Sequence, residues 1–288
     1  MENLRTSVIS TWCPGCPNFG ILTAFINAVQ ELDKENKVRK NQIAYISGIG
    51  CAGKIHNYIN LSSVNALHGR ALPFAIGVKL ANKDLKIVVF QGDGDTYNEG
   101  IEHFISSCKE NPDVKLFVHN NQIFALTTGQ HTFTTEPNFY SKSLGEKLFQ
   151  KPLNPIAIAL VSGASFVARG YALWIDHLKY IFKEAILHKG FAFVDIIQPC
   201  IVQHDTRKYY EERMYKLEDI GHDPKNFEEA LKRALEYDYT LNENLKIPVG
   251  IFYKNPRETL EEGLKIKEPF YTIERKVDLS ILEDLLVY

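Results

Sequence analysis

Two short apolar runs rich in β-branched residues, at 87–91 (IVVFQ) and 114–118 (VKLFV), frame the most informative stretch of the chain. Runs of this length and composition read as buried strands. Between them Ile101, Phe104, Ile105 and Cys108 recur at helical spacing, and Asn111-Pro112 stops the helix. Together the three pieces predict a βαβ unit. A crossover helix makes its two strands parallel, so both carboxyl ends lie on one edge of the sheet, the edge at which open α/β sheets bind ligands. The first strand ends in Gly92-Asp93-Gly94 and the second in Asn120-Asn121. Glycines on both sides of Asp93 let the backbone approach a ligand and present N–H groups to an anion. Asp93 and Asn121 bring oxygen atoms suited to holding a hard cation such as Mg²⁺ against a phosphate. A plain turn and a plain strand end would use the same letters; the helix-length spacing of the two strand ends favours the ligand edge.

The same periodicities extend along the chain. Asn18 is placed to cap a helix whose apolar face is Phe19, Leu22, Phe25, Ile26 and Val29. A strand over 43–46 runs into the glycine-rich turn 47–54 (SGIGCAGK), a second ligand edge unless that turn is purely structural. Residues 71–80 predict a helix apolar enough to be buried on most sides. The polar, Thr-rich segment 127–138 is a loop of the kind that carries function on a rigid sheet. Strands are expected at 156–161 and 166–168, a helix at 174–187, and a strand at 191–197 that feeds Gln198-Pro199-Cys200. This alternation predicts an α/β fold with a mainly parallel sheet flanked by helices. From His204 the composition shifts to charge and tyrosine, with amphipathic pieces near 209–217 and 227–237, a strand at 249–253 and a mixed tail to Tyr288. The expected division is a core over 1–203 and an extension over 204–288, packed on the core or on a partner.

Composition narrows the function. A chain of 288 residues fits one large or two small domains. Its formal net charge of −2 argues against nucleic acid or another polyanion as partner. No apolar run reaches membrane-spanning length and the start, MENLRTSVIS, has no signal-peptide pattern, so a cytoplasmic protein is expected. The five cysteines are an odd number, and Cys13-Pro14-Gly15-Cys16 holds two of them, which disfavours a disulfide framework. Cys13, Cys16, Cys51 and Cys200 fall in loops, whereas Cys108 sits on the apolar face of the central helix. Four loop thiolates suit tetrahedral zinc or an iron–sulfur cluster. One C-x-x-C with two distant single cysteines lacks the paired spacing of a zinc ribbon, which weakens the zinc reading.

GDG followed one helix and one strand later by NN resembles the thiamine-diphosphate motif. With WCPGC, GIGC at 48–51, HGR at 68–70, GDGD, TTGQ and QPC at 198–200, the chain resembles, over nearly its whole length and in family order, the β subunit of 2-oxoacid:ferredoxin oxidoreductases. The resemblance implies a fold of the thiamine-diphosphate-binding (diphosphate) type and CoA-dependent oxidative decarboxylation of a 2-oxoacid, with electrons passed through a [4Fe–4S] cluster to ferredoxin. It implies Cys13, Cys16, Cys51 and Cys200 as cluster ligands, and Mg²⁺ on Asp93, Asn121 and the backbone carbonyl of Ile123. It also implies that Ile49, Gly50, Cys51, Ala52, His68, Gly94, Asp95, Ala125 and Leu126 lie along thiamine diphosphate. Lys54 is the candidate for meeting the substrate carboxylate, with a solvated surface lysine as the alternative. The glutamate that activates the aminopyrimidine comes, in the family, from the partner α (or α–γ) subunit, and no motif here supplies it.

Three departures from the family pattern stand out: Pro17 for a usual Gly, Asn120 for a common Asp, and Gln130-His131-Thr132-Phe133 for a stretch that normally carries Ser-Pro. Pro17 stiffens its turn, and the altered loop bears on substrate choice more than on chemistry. Two other readings stay open at this point. A thiamine-dependent decarboxylase or lyase without electron transfer leaves the loop cysteines idle, and a zinc-stabilised, non-enzymatic binding protein makes GDGD a turn.

Overall fold

The computed structural model describes residues 4–141, 143–241, 244–273 and 280. In chain order these form α1 (Asn18–Lys34), β1 (Ile43–Ser47), β2 (Ser62–Asn65), α2 (Ala71–Ala81), β3 (Lys86–Gly92), α3 (Ile101–Glu110) and β4 (Val114–Asn120). Four two-residue strands follow, β5 (Ile123–Phe124), β6 (Gln130–His131), β7 (Tyr140–Ser141) and β8 (Glu146–Lys147). The rest comprises α4 (Pro155–Val161), β9 (Phe166–Tyr171), α5 (Ile175–Leu187), β10 (Ala192–Ile197), α6 (Arg207–Glu211), β11 (Met214–Lys216), α7 (Phe227–Ala234) and β12 (Ile247–Lys254).

An eight-stranded sheet runs in the order β11-β12-β9-β10-β4-β3-β1-β2. From β9 to β2 every pairing is parallel, whereas β12 joins β9 antiparallel and carries β11 with it. The part of the chain after residue 203 thus contributes two strands to the sheet of the part before it. One face of the sheet packs on α1 and α5 through Phe25, Phe90, Phe117 and Phe182. The other face packs on α2, α3, α4 and α7, with Phe104, Leu116, Ile156 and Ala230 in that layer. Burial on both faces explains why β3 reads as a nearly continuous apolar run and β4 as one interrupted by Lys115, whose buried ammonium pairs with Asp113.

Several local expectations are corrected. Residues 156–161 lie in the helix α4, not a strand: Asn154 accepts from the Ala157 N–H, Pro155 opens the first turn, and Ile156, Ala159 and Leu160 bury one helical face. Asn18 does not cap α1; Pro17 takes that position without a side-chain bond, and Asn18 is buried with its Oδ1 accepting from His119 Nδ1 at 2.8 Å. The helix α2 is not buried on most sides, since Phe74 is 46% exposed, and Ile105 of α3 also faces outward. The amphipathic piece at 209–217 divides into α6 and β11. Residues 274–279 and 281–288 of the expected tail lie outside the described residues. Among the described residues no helix is long and apolar enough to cross a membrane.

Candidate active site

The carboxyl ends of β1, β3, β4 and β10 lie side by side, and the loops that leave β1, β3 and β4 build one cleft. Ile49, Gly50, Cys51 and Ala52 come from the first loop, Asp93, Gly94 and Asp95 from the second, and Asn121, Ile123, Ala125 and Leu126 from the third, with His68 at the side. These are the residues that the sequence nominated for the cofactor and the hard cation, and the fold brings them together. Gly92, Phe124 and Thr127, which the sequence did not nominate, line the same cleft. Its volume is about 100 Å³, whereas pockets that enclose a drug-sized ligand run to roughly 300–1,000 Å³. The cleft is thus too small by itself to enclose a whole ligand of that size.

Glycine is needed here for space. A Cβ on Gly50, whose φ is +105°, or on Gly92 would meet nothing within 4 Å, so the backbone at both points lies open to the cleft. A Cβ on Gly94 would fall 2.3 Å from the Phe124 ring, and one on Gly48 would fall 1.7 Å from Asp95 Oδ2. Directly after Asp93 the chain makes a π-helical turn over Gly94–Asn98, a distortion that recurs at functional sites.

Asp95 organises the cleft from behind. Its Oδ2 accepts from the Ile49 N–H at 3.0 Å, and its Oδ1 accepts from the Gly69 N–H and pairs with His68 Nδ1 at 3.1 Å. One buried carboxylate therefore ties the 48–51 loop and the 68–70 loop to the end of β3. The hydrogen bond to Asp95 raises the pKa of His68 against the opposing effect of burial.

Asp93 is 1% exposed, and burial pushes its carboxyl up to about 6 despite hydrogen bonds from Thr132, Thr134 and the Asn121 N–H. Thr132 Oγ1 and Thr134 Oγ1 both donate to Oδ2, at 2.6 and 3.0 Å, while the Asn121 N–H reaches Oδ1 at 3.4 Å. No lysine or arginine among the described residues pairs with Asp93. A desolvated carboxylate with only neutral donors around it, beside the amide oxygen of Asn121 and the backbone of Ile123, fits a bound Mg²⁺. Behind it Asn120 Oδ1 lies 3.1 Å from Thr134 Oγ1, as an alternative acceptor for that hydroxyl's single proton, and Asn120 Nδ2 donates to Asp195 Oδ1 at 3.0 Å. Asp195 in turn accepts from the Tyr97 hydroxyl at 3.0 Å and faces Arg169 Nε at 3.5 Å. The departure at Asn120 is thereby accounted for locally: an amide bridges Thr134 to a carboxylate, where a second carboxylate would repel Asp195.

The cysteine loops meet beside the cleft. The CPGC turn closes with the Cys16 N–H on the Cys13 carbonyl at 3.0 Å, Gly15 taking a φ of +77°. Trp12 Nε1 donates to the Cys51 carbonyl at 2.7 Å and pins the two loops together. Burial pushes the Cys16 thiol up to about 11 against a hydrogen bond from the Asn18 N–H, and Cys51, Cys200 and Cys13 raise it further. Burial likewise raises Cys51, against the charge of Lys54, and Cys200 and Cys13 add to the effect. Cys16 and Cys51, whose ionisation burial and the neighbouring sulfurs oppose, fit a cationic group held between the four cysteines. Among the described residues, however, no three His, Cys, Asp or Glu side chains are closed into a metal-binding group. Cys108 is apart from the four, fully buried in the core beneath α3.

Lys54 is not among the residues lining the cleft: its Nζ donates to the Thr11 carbonyl at 3.3 Å, on the cysteine side. Sequence reasoning missed Thr132, Thr134 and Gln198. Thr134 lay in a loop flagged for its polarity, Thr132 in a stretch noted only as a departure bearing on substrate choice, and Gln198 in a motif read only for its cysteine. Gln198 accepts from Asn121 Nδ2 at 3.2 Å and places its own Nε2 3.9 Å from Cys16 Sγ.

Comparison with known proteins bears on this arrangement. Residues 48–196 match the family model of the thiamine pyrophosphate enzyme C-terminal TPP-binding domain, and residues 202–268 match that of the C-terminal part of the pyruvate ferredoxin oxidoreductase β chain. The chain is 44% identical over 287 residues to 2-oxoacid:ferredoxin oxidoreductase 1, subunit β, of Aeropyrum pernix, covering 95% of this chain and 87% of that one. It is 44% identical over 274 residues to the corresponding β subunit of Saccharolobus solfataricus, covering 90% and 87%. A solved 2-oxoglutarate:ferredoxin oxidoreductase from Magnetococcus marinus, with 2-oxoglutarate, coenzyme A and succinyl-CoA bound, superposes with a TM-score of 0.86 at 30% identity, over 99% of this chain and 95% of that one. Identity at this level, across nearly the full length and over the loops that build the cleft, makes the chain a member of the 2-oxoacid:ferredoxin oxidoreductase β-subunit family.

Proposed function

We propose that this β subunit binds the diphosphate end of thiamine diphosphate in the cleft and, with a partner subunit, carries out CoA-dependent oxidative decarboxylation of a 2-oxoacid in the cytoplasm, passing electrons to ferredoxin. The observation that carries the reading is the convergence of the GIGC, GDGD and NN loops on one cleft with the four loop cysteines beside it. Thiamine diphosphate supplies an electron sink for the carbanion left when CO₂ departs, and a [4Fe–4S] cluster supplies a one-electron acceptor.

The chain's own residues do the holding. Asp93, Asn121 and the Ile123 carbonyl would bind Mg²⁺, with Thr132 and Thr134 fixing the Asp93 carboxylate. Gly50, Gly92 and Gly94 keep the backbone close to the diphosphate, and Asp95 holds the loops that carry Ile49 and His68 against it. Ala52, Ala125 and Leu126 give the cleft apolar walls that exclude water. Cys13, Cys16, Cys51 and Cys200 would hold the cluster, and Lys54 remains the candidate for the substrate carboxylate, acting from the cysteine side. Ile49 and Leu126 at the cleft and Leu67 next to His68 are 38, 47 and 76% exposed, an apolar rim suited to an α subunit that covers the cleft and supplies the activating glutamate. The core over 1–203 and the extension over 204–288 act as one frame, joined through β12.

The test is an anaerobic assay of the chain co-expressed with its partner, following reduction of ferredoxin or a viologen dye by a panel of 2-oxoacids. Reduction that requires the 2-oxoacid, coenzyme A and both subunits supports the reading. CO₂ release with no dye reduction overturns it and assigns the site to a thiamine-dependent lyase.

A further inference from the structure

We propose that Gln198 is a positioning residue that serves both halves of the site, orienting the magnesium ligand Asn121 with its carbonyl and tuning the cluster through Cys16 with its amide N–H. The inference rests on the function proposed above. Gln198 is the first residue beyond β10 and is 1% exposed. Its backbone N–H donates to the Asn120 carbonyl at 2.8 Å, continuing the β10–β4 ladder and fixing where the side chain begins.

The side-chain amide has one orientation that satisfies its neighbours. Oε1 accepts from Asn121 Nδ2 at 3.2 Å, and Nε2 donates to the Pro199 carbonyl at 3.2 Å while lying 3.9 Å from Cys16 Sγ. Exchanging the two ends would set N–H against N–H at Asn121 and oxygen against oxygen at Pro199. Two consequences follow from the observed orientation. With its Nδ2 committed to Gln198, Asn121 accepts from the Ile123 N–H through Oδ1 at 3.1 Å, and this oxygen is the one that would be left for the metal. Cys16 Sγ meanwhile gains a side-chain N–H in addition to the backbone N–H of Asn18. Donors to cluster sulfurs favour the more negative, reduced state and raise the reduction potential.

Two substitutions separate the roles. Gln198→Glu keeps the shape and an acceptor for Asn121 but turns a charged oxygen instead of an N–H toward Cys16; Gln198→Leu removes both functions without adding charge. The complex with its partner is purified anaerobically, iron is measured, the cluster potential is obtained by redox titration followed by electron paramagnetic resonance, and Mn²⁺ affinity is measured from the free-ion signal. Gln198→Glu should make cluster reduction harder by about tenfold, equivalent to about 59 mV for one electron, without weakening Mn²⁺. Gln198→Leu should also lower the potential and weaken Mn²⁺ by about tenfold. A wild-type potential in the uncharged Gln198→Leu at full iron content, or wild-type Mn²⁺ affinity in that variant, overturns the proposal. Iron-free wild-type complex overturns the cluster reading itself, a result visible before any variant is compared.

Discussion

Thr132 Oγ1 donates to Asp93 Oδ2 at 2.6 Å, from a loop that is separated from the β3 end by the helix α3 and the strands β4, β5 and β6. With Thr134 on the same oxygen, the carboxylate is held chiefly through Oδ2, while Oδ1 has only the 3.4 Å contact from the Asn121 N–H. The altered loop Gln130-His131-Thr132-Phe133 therefore reaches the candidate metal site itself, and Thr132→Val should weaken Mg²⁺ or Mn²⁺ binding by about 10- to 100-fold, the usual effect of losing a partner of a metal ligand. Thr132→Ser keeps the donor and should bind within a few-fold of wild type. Calorimetric titration of the metal distinguishes this from a purely structural loop, in which both variants would behave alike.

The ionisation of Asp93 gives the metal-free protein a pH dependence of definite sign. Burial raises its carboxyl from 3.8 to about 6, so the folded state binds the proton more tightly than the unfolded chain does. Its contribution is then most favourable below the unfolded pKa and is lost as pH rises through about 6, a change of about 3 kcal/mol at 1.36 kcal/mol per pKa unit. Metal-free Asp93→Asn should accordingly be more stable than wild type at pH 7 by up to about that amount, with the gap closing near pH 4. Mg²⁺ should stabilise wild type and leave the variant unchanged. Denaturant midpoints at the two pH values, with and without Mg²⁺, check both statements, and a gap that does not change with pH contradicts them.

Asp95→Ala strips a buried acceptor from the Ile49 and Gly69 N–H groups. Each unpaired buried donor costs about 1–3 kcal/mol, and the loops they anchor line the cleft. Thiamine-diphosphate affinity should fall by at least about tenfold in calorimetry. Gly48→Ala, whose Cβ would collide with Asp95 Oδ2, should reproduce the loss by displacing the carboxylate rather than removing it.

Cys108 provides an internal control for the cysteine assignment. It is fully buried among Phe104, Val114 and Leu116, and burial raises its thiol far from ionisation. Cys108→Ala should keep full iron and lose about 1 kcal/mol or somewhat more of stability from the small cavity. Alanine at Cys13, Cys16, Cys51 or Cys200 should abolish the visible absorption. Loss of iron in Cys108→Ala with a retained melting transition would reverse the assignment.

Asn154→Ala tests the reading of α4 as a helix fixed by its cap. Asn154 Oδ1 accepts from the Ala157 N–H at 3.1 Å and its Nδ2 donates to the Ala234 carbonyl at 3.0 Å, linking α4 to the end of α7. Loss of the cap costs about 1 kcal/mol and the second bond adds a comparable amount. An unchanged denaturant midpoint would show that neither bond contributes.

How far the sequence could be read follows from which signals are local. The βαβ unit carrying Asp93 and Asn121 is legible because doubly buried strands and a stopped helix each leave their own mark within a few residues. The cleft lining follows from it, since parallel strands put their carboxyl ends together. The run 156–161 misleads because a six-residue apolar segment has no period of its own, although the Asn154-Pro155 start signal is present. The antiparallel direction of β12 leaves no trace in its composition. Contacts such as Thr132 to Asp93, or Gln198 to Asn121 and Cys16, depend on the register of neighbouring strands, which no single stretch of sequence encodes.

The most direct test of the central claim is anaerobic purification of the chain with its partner, with iron, sulfide and zinc analysis beside the visible spectrum. About four iron and four sulfide per chain, the content of one Cys₄-held [4Fe–4S] cluster, and bleaching of the absorption on adding a 2-oxoacid and coenzyme A are the predicted result. Zinc without iron, or a cluster whose absorption is indifferent to both substrates, would contradict the account.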